Sequence, residues 1–242
     1  MSGRAAAIVI GAGDALGGAI AKRFARGGLV AVPSRRKIKP LKELVSEIKA
    51  GGGDARGMPC DARDEEAVIE MFDRVEKEIG SVEVVVFNTG AQHRSSILNM
   101  TARVYRQVWE SATFAGFIAG REAARRMAAQ GRGTILFTGA TASVRGGANF
   151  ASFASAKHAL RALAQSMARE LGPMGIHVGH IIVDGMIDSK AVRLKFPEET
   201  SVLPKGGMLN PNHIAEAYWA MHVQPKDAWT FEIDIRPSIE RW

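Results

Sequence analysis

The stretch Ala6-Ala7-Ile8-Val9-Ile10 runs directly into Gly11-Ala12-Gly13-Asp14-Ala15-Leu16-Gly17-Gly18, and this join predicts a buried strand, a tight turn and a helix in succession. A strand covered on both faces reads as a continuous apolar run, whereas Leu16, Ala19, Ile20 and Phe24 recur at the spacing of one helix face. Gly11 and Gly13 let the chain double back and keep side chains away from a phosphate, and Gly17 lets the helix start lie against the strand. The free N–H groups of that start attract an anion. Lying between a strand and an amphipathic helix, the turn reads as a nucleotide cradle rather than as a bare turn.

Strand and helix signals alternate through the rest of the chain. Leu29–Pro33 is predicted as a second strand, and Leu41, Leu44, Val45 and Ile48 mark one face of a helix that Gly51-Gly52-Gly53 ends. A weak third strand is expected over Asp54–Pro59, then a helix from near Asp64 with Val68, Ile69, Phe72, Val75 and Ile79 inward. Val82–Phe87, Thr134–Thr138 and Ile176–Val183 read as strands. Thr101–Ala129 and Phe150–Leu171 read as long helices, and a helix near Pro211–His222 and a strand at Trp229–Ile235 close the series. Such alternation implies an α/β fold, one doubly wound domain over residues 1–242 with a parallel sheet between helices. Asp188–Leu209 breaks the rhythm with Pro197, Pro204 and Gly206-Gly207, and is expected to form a substrate flap over residues 188–209.

Composition narrows the class. With 242 residues, 46% hydrophobic and 24% charged, the chain can bury a large core and carries no sign of disorder. The net charge of +7 is scattered along helices instead of forming one basic segment, so no nucleic-acid partner is expected. The lone Cys60 cannot form an internal disulfide. No basic–apolar–small leader pattern precedes the first strand and no apolar run has the length of a membrane span, so a cytoplasmic protein off the membrane is expected.

Ligands in such sheets bind at the carboxyl ends of the strands. The second strand ends in Ser34-Arg35-Arg36, where an NAD site would place a carboxylate for the ribose 2′-hydroxyl and an NADP site a positive charge for the 2′-phosphate. Two arginines favour NADP over NAD, although with Lys37 and Lys39 they also fit a solvated basic run. In Cys60-Asp61-Ala62, Asp61 can accept from an adenine amino group or cap a helix, and Asp64 is the better cap because it leads the helix directly.

These features resemble the short-chain dehydrogenase/reductase family along essentially the whole chain. The family's Gly-x3-Gly-x-Gly turn is matched by Gly11, Ala15 and Gly17, its Asn-Asn-Ala-Gly segment by Phe87-Asn88-Thr89-Gly90, and its Tyr-x3-Lys pair by Phe153-Ala154-Ser155-Ala156-Lys157. Its Pro-Gly after the sixth strand is matched by Asp184-Gly185, followed by Ile187 and Ser189 where the family holds the nicotinamide amide. The resemblance implies a Rossmann-type fold and a nicotinamide cofactor held by Gly11, Gly13, Asp14, Ala15, Leu16 and Gly17, by Ser34, Arg35 and Arg36, and by Asp61 and Ala62. Asn88, Gly90, Lys157, Gly185, Ile187 and Ser189 complete that set. It also implies a homodimer or homotetramer through the two long helices.

The resemblance places four residues at the family's reacting centre. The tyrosine position holds Phe153, the serine position thirteen residues earlier holds Ala140, and the asparagine position in the long helix holds Ala112; Lys157 alone matches. Phenylalanine has no ionisable hydrogen, so the family's usual acid–base step cannot occur there. Thr141 and Ser143 can hold a carbonyl or bond the loop backbone, and His93 is a candidate acid or base three residues past Gly90. Asp184 and Asp188 read as turn residues. The expected activity is hydride transfer between NADP, or NAD, and an unidentified carbonyl, imine, alcohol or activated alkene; the alternative is a cofactor-binding sensor or scaffold without turnover.

Overall fold

In the computed structural model, residues 4–240 are described, and they form one six-stranded parallel sheet between two layers of helix. Strand β1 (Ala6–Ile10) feeds helix α1 (Leu16–Arg26), then β2 (Val30–Ser34) and α2 (Ile38–Ala50). Helix α3 (Glu65–Glu78) precedes β3 (Val82–Phe87), and α4 (Ala102–Trp109) and α5 (Ala115–Gln130) precede β4 (Gly133–Thr138). Helix α6 (Ala151–Leu171) leads to β5 (Ile176–Val183). Two short helices, α7 (Lys190–Lys195) and α8 (Pro197–Ser201), are followed by α9 (Pro211–His222) and β6 (Glu232–Ile235).

The spatial order β2-β1-β3-β4-β5-β6 reverses direction between β1 and β3. A crevice opens at such a reversal, outside the carboxyl ends of the strands. Strand β1 shows why both faces need cover: Ala6, Ile8 and Ile10 pack into one core with α3, α5 and α6. Ala7 and Val9 point the other way, into a second core with α1, α2 and α9. This is the alternation that a pleated strand imposes. Helix α3 starts where Asp64 caps it, its carboxylate accepting from the Ala67 N–H at 3.1 Å.

Two expectations are corrected. Asp54–Pro59 is not a strand; it meets β2 through one bridge, Ala31 to Ala55. Asp54, Ala31 and Pro33 carbonyls accept from Ala31, Arg56 and Met58 N–H groups, but Pro33 has no N–H to return, so the ladder cannot continue. The long helix expected over Thr101–Ala129 is interrupted by a wider π-helical turn at Glu110–Phe114, which separates α4 from α5. Residues 188–209 carry the two short helices, Ser189 capping α7 by accepting from Val192 N–H and Pro197 opening α8. No helix among the described residues is long and apolar enough to cross a membrane.

Candidate active site

The glycine turn closes on itself through the backbone, with Gly11 and Ala12 N–H donating to the Ser34 carbonyl and Gly18 N–H to Gly13. Gly11 sits at φ +86°, a left-handed conformation that a side chain would strain. A Cβ at Gly17 would lie 2.3 Å from the Gly11 carbonyl oxygen, so only glycine lets α1 start this close to β1. A Cβ at Gly13 would meet nothing within 4 Å, because Gly13 faces the open cleft. Asn88, at the end of β3, donates through Nδ2 to the Gly11 carbonyl at 3.1 Å and so joins the turn to the next strand.

A cleft of about 680 Å³ runs from this turn along the ends of β1, β2 and β3. Ser34, Arg35, Arg36, Asp61, Ala62, Asn88 and Gly90 line it together with Gly11 and Gly13. The Ser34 hydroxyl is buried there without a hydrogen-bond partner. Asp14, Ala15 and Gly13 also face a smaller groove against α2. Arg35 is partly buried and donates to the Asp14 carboxylate across the mouth of the turn. Asp61 is held by Arg63 at 2.6 Å, with Arg36 at 3.9 Å; the Arg63 hydrogen bond is the main cause that keeps its carboxyl below the usual range. Asp61 therefore stays anionic and is not a helix cap.

Asn88, Thr89 and Gly90 also border a second cleft of about 700 Å³, so the two spaces adjoin at these residues. Its floor is formed by Leu16, Ala140, Thr141, Phe153, Lys157, Gly185 and Ile187. Lys157 is 4% exposed and donates from Nζ to the Thr138 carbonyl at 2.7 Å. Thr138 is itself fixed through its hydroxyl, 2.7 Å from the Tyr218 hydroxyl of α9. Burial lowers the Lys157 ammonium to about 8, because the charged form is deprived of water. The Phe153 ring stands beside it, with Nζ 6.0 Å from the ring centre. Gly185, at φ +149°, has no room for a side chain: a Cβ would meet Pro237 at 2.8 Å.

The remaining expected residues lie elsewhere. Ser143 is fully buried, and its Oγ accepts from the Ala140 N–H at 3.1 Å, so the loop backbone uses it and it does not border the cleft. His93 is exposed, outside the cleft lining, and no described residue pairs with its side chain. Ser189 borders neither cleft, since its hydroxyl is committed to capping α7. Ala112 is buried in the π-helical turn against Val108 and Ala156. Thr141 does face the cleft, and it donates to Asp184, a buried carboxylate also approached at 3.6 Å by Arg145 and by Arg236. Sequence reasoning gave Asp184 only a turn role and passed over Arg94 and Arg145, which border the cleft from two loops. No periodicity or motif separates such arginines from a solvated charge. Among the described residues, no group of three or more His, Cys, Asp or Glu is placed to hold a metal ion.

Comparison with known proteins agrees with this architecture. Residues 5–200 match the family model described as short chain dehydrogenase. The chain is 30% identical over 198 residues to the short-chain reductase protein NovJ of Streptomyces niveus, covering 80% of this chain and 75% of that one. A crystal structure of a short-chain dehydrogenase from Rhodopseudomonas palustris is 47% identical, with a TM-score of 0.83 over 96% of this chain and 98% of that one. An actinorhodin polyketide ketoreductase solved with NADPH, 20% identical, shares the fold at a TM-score of 0.90 over 99% and 98% of the two chains. A glycine turn at the sheet's reversal, a cleft that adjoins one lined by a buried lysine, and these matches together place the chain in the short-chain dehydrogenase family of NAD(P)-dependent oxidoreductases.

Proposed function

We propose that the chain is an NADP(H)-preferring oxidoreductase whose proton chemistry depends on Lys157, because Phe153, Ala140 and Ala112 stand where the family's tyrosine, serine and asparagine would be. The observation that carries this reading is the adjacency of the two clefts, one lined by the glycine turn and Arg35 and the other by Lys157, which meet at Asn88, Thr89 and Gly90. A dinucleotide suits the first cleft on three grounds. Gly13 leaves space open, Ser34 presents an unpartnered hydroxyl, and Arg35 and Arg36 supply the positive charge that a 2′-phosphate needs. Gly11, Asp14, Ala15, Leu16 and Gly17 would hold the pyrophosphate side, Asp61 and Ala62 the adenine, Asn88, Gly90 and Lys157 the ribose groups, and Gly185 and Ile187 the nicotinamide.

When bound, the nicotinamide supplies or takes up the hydride. The protein's part is placement and proton control. Lys157 Nζ is the buried ionisable group of the reaction cleft, and at about 8 it can both hold and release a proton near neutral pH. Thr141 gives its own proton to Asp184, so its oxygen offers lone pairs to a substrate hydroxyl or N–H. Among the described residues Lys157 Nζ bonds a backbone carbonyl and no side-chain hydroxyl, which favours a second reading, a protein that binds NADP(H) without turnover. Titration with NADPH beside turnover on a panel of carbonyl compounds separates the two. Tight binding with no turnover removes the enzyme reading, and no binding of either cofactor removes both.

Assembly through α4–α5 and α6 into a homodimer or homotetramer is part of the proposal. Tyr105, Trp109 and Phe117 are 38–39% exposed on α4 and α5, the kind of aromatic surface that a subunit contact covers. Sedimentation at micromolar concentration that yields only a 26.0 kDa species would remove it.

A further inference from the structure

The geometry points to a substrate with an apolar body and an anionic group, read by Arg94 and Arg145 on the two loops that flank the reaction cleft. This rests on the assignment of that cleft as the substrate site. The two loops are tied together, since Ser95 N–H donates to the Asn149 carbonyl at 2.9 Å, which fixes both arginines on one rim. The same cleft has an apolar wall: Phe150 just before α6 and Phe153 within it, Met186 between β5 and the flap, and Val192 and Phe196 within the flap.

The arginines are poorly neutralised. Arg94 makes no hydrogen bond and no ion pair with any described residue; its guanidinium rests over the Phe150 ring, 5.8 Å from the centre. Arg145 has one acidic neighbour, Asp184, at 3.6 Å. That carboxylate also takes the Thr141 hydroxyl and faces Arg236 at the same distance, and the Arg145 fork makes no hydrogen bond to it. The cleft's other acid, Glu199, is exposed on α8 and pairs with neither. Two cations above an apolar wall exert a field that a neutral lipophile does not use, whereas a planar carboxylate or a phosphate fits the arginine fork. Interactions at a rim with low-dielectric walls are screened less than on open surface.

The test measures binding, not turnover. Octanoate, octanamide and octyl phosphate are titrated calorimetrically against the full chain, with and without NADPH. Octanoate should bind at least about tenfold more tightly than octanamide, the low end of what one charge-assisted hydrogen bond contributes. Arg94→Ala and Arg145→Ala should each remove about tenfold of the octanoate affinity and leave octanamide unchanged, and Arg94→Glu should cost more than Arg94→Ala. Tighter binding of octyl phosphate, lost in the same variants, upholds the proposal and assigns a phosphate as the anion. Equal affinity for octanoate and octanamide, or equal losses for both in the variants, overturns it. Arg94 is exposed, so its variants should fold as the parent does; an unchanged melting temperature verifies this. Discrimination by charge in a chain that fails to bind NADPH would leave this inference standing and remove the oxidoreductase reading.

Discussion

The cleft proposed for the nucleotide and the cleft proposed for the reaction share Asn88, Thr89 and Gly90 but differ in the chemistry they offer. The first is built from backbone turns and paired charges, with Arg35 on Asp14 and Arg63 on Asp61, and its polar side chains are poised for a charged ligand. The second sets one buried ammonium, bonded to the Thr138 carbonyl, against aromatic rings and small side chains, with the Thr141 hydroxyl donating to Asp184. The proposed function therefore treats binding and turnover as separate questions. A family's scaffold can keep its ligand site while the reacting groups change, which is why function has to be argued from the site.

Restoring the hydroxyls should have the largest effect. Phe153→Tyr with Ala140→Ser sets a phenol one helical turn from Lys157, and NADPH-dependent reduction of activated ketones should rise by up to about 10⁴-fold. Ala112 stays buried and apolar, which limits the gain. Normal NADPH binding with no reduction on a broad ketone panel would show that the reaction cleft has left carbonyl chemistry altogether.

Next is the cost of burying Lys157. Its folded-state value of about 8 lies below the ordinary 10.5, so below pH 8 the charged amine is fully penalised in the fold. Between pH 8 and 10.5 the unfolded chain binds more protons than the folded one, and stability rises with pH. Relative to Lys157→Met, the wild type should gain about 3 kcal/mol between pH 7 and 10.5 in urea unfolding. A difference that stays constant across that range would mean that Lys157 ionises as it does in water.

On the nucleotide side, Arg35→Ala should weaken NADPH roughly 10- to 150-fold and leave NADH nearly unchanged, since a charge-assisted bond is worth about 1.5–3 kcal/mol. Equal losses for the two cofactors would show that Arg35 does not read the phosphate. The smallest effect concerns its partner. Asp14→Asn frees Arg35 from an exposed ion pair of the kind worth well under about 1 kcal/mol, so NADPH should tighten by two- to threefold at most, roughly. Weaker NADPH binding in this variant would mean that Asp14 positions Arg35 rather than competing for it.

How much of this was legible in the sequence follows the range of the forces involved. The strand, glycine turn and first helix were readable because each is specified within a few neighbours, and the two-core division follows from alternation along β1. The Asp54–Pro59 segment looked like a strand by its own residues, but its failure is set by Pro33 on the neighbouring chain segment. The π-helical turn at Glu110–Phe114 has no periodic signature, because one extra residue in a turn hardly disturbs a helical apolar pattern over so short a span. Lys157 is legible through its motif, whereas no motif shows that backbone N–H groups three residues away claim the Ser143 and Ser189 hydroxyls. The rim arginines depend on how two distant loops are tethered, and only the folded chain brings Ser95 to Asn149.

The base of the flap has a consequence for how this chain tolerates change. Ile187 and Leu209 form a bridge, with Asp188 N–H donating to the Leu209 carbonyl and Leu209 N–H to Met186, both at 2.8 Å. The chain leaves and returns through a single latch, so β5 and α9 do not register the length or composition of what lies between. Closing a longer excursion costs only a logarithmic entropy increment, about 0.6 kcal/mol for each doubling. The latch makes this excursion a cassette, in which insertions or exchanged segments can reshape the roof over the aromatic wall while the sheet and the glycine turn keep their register.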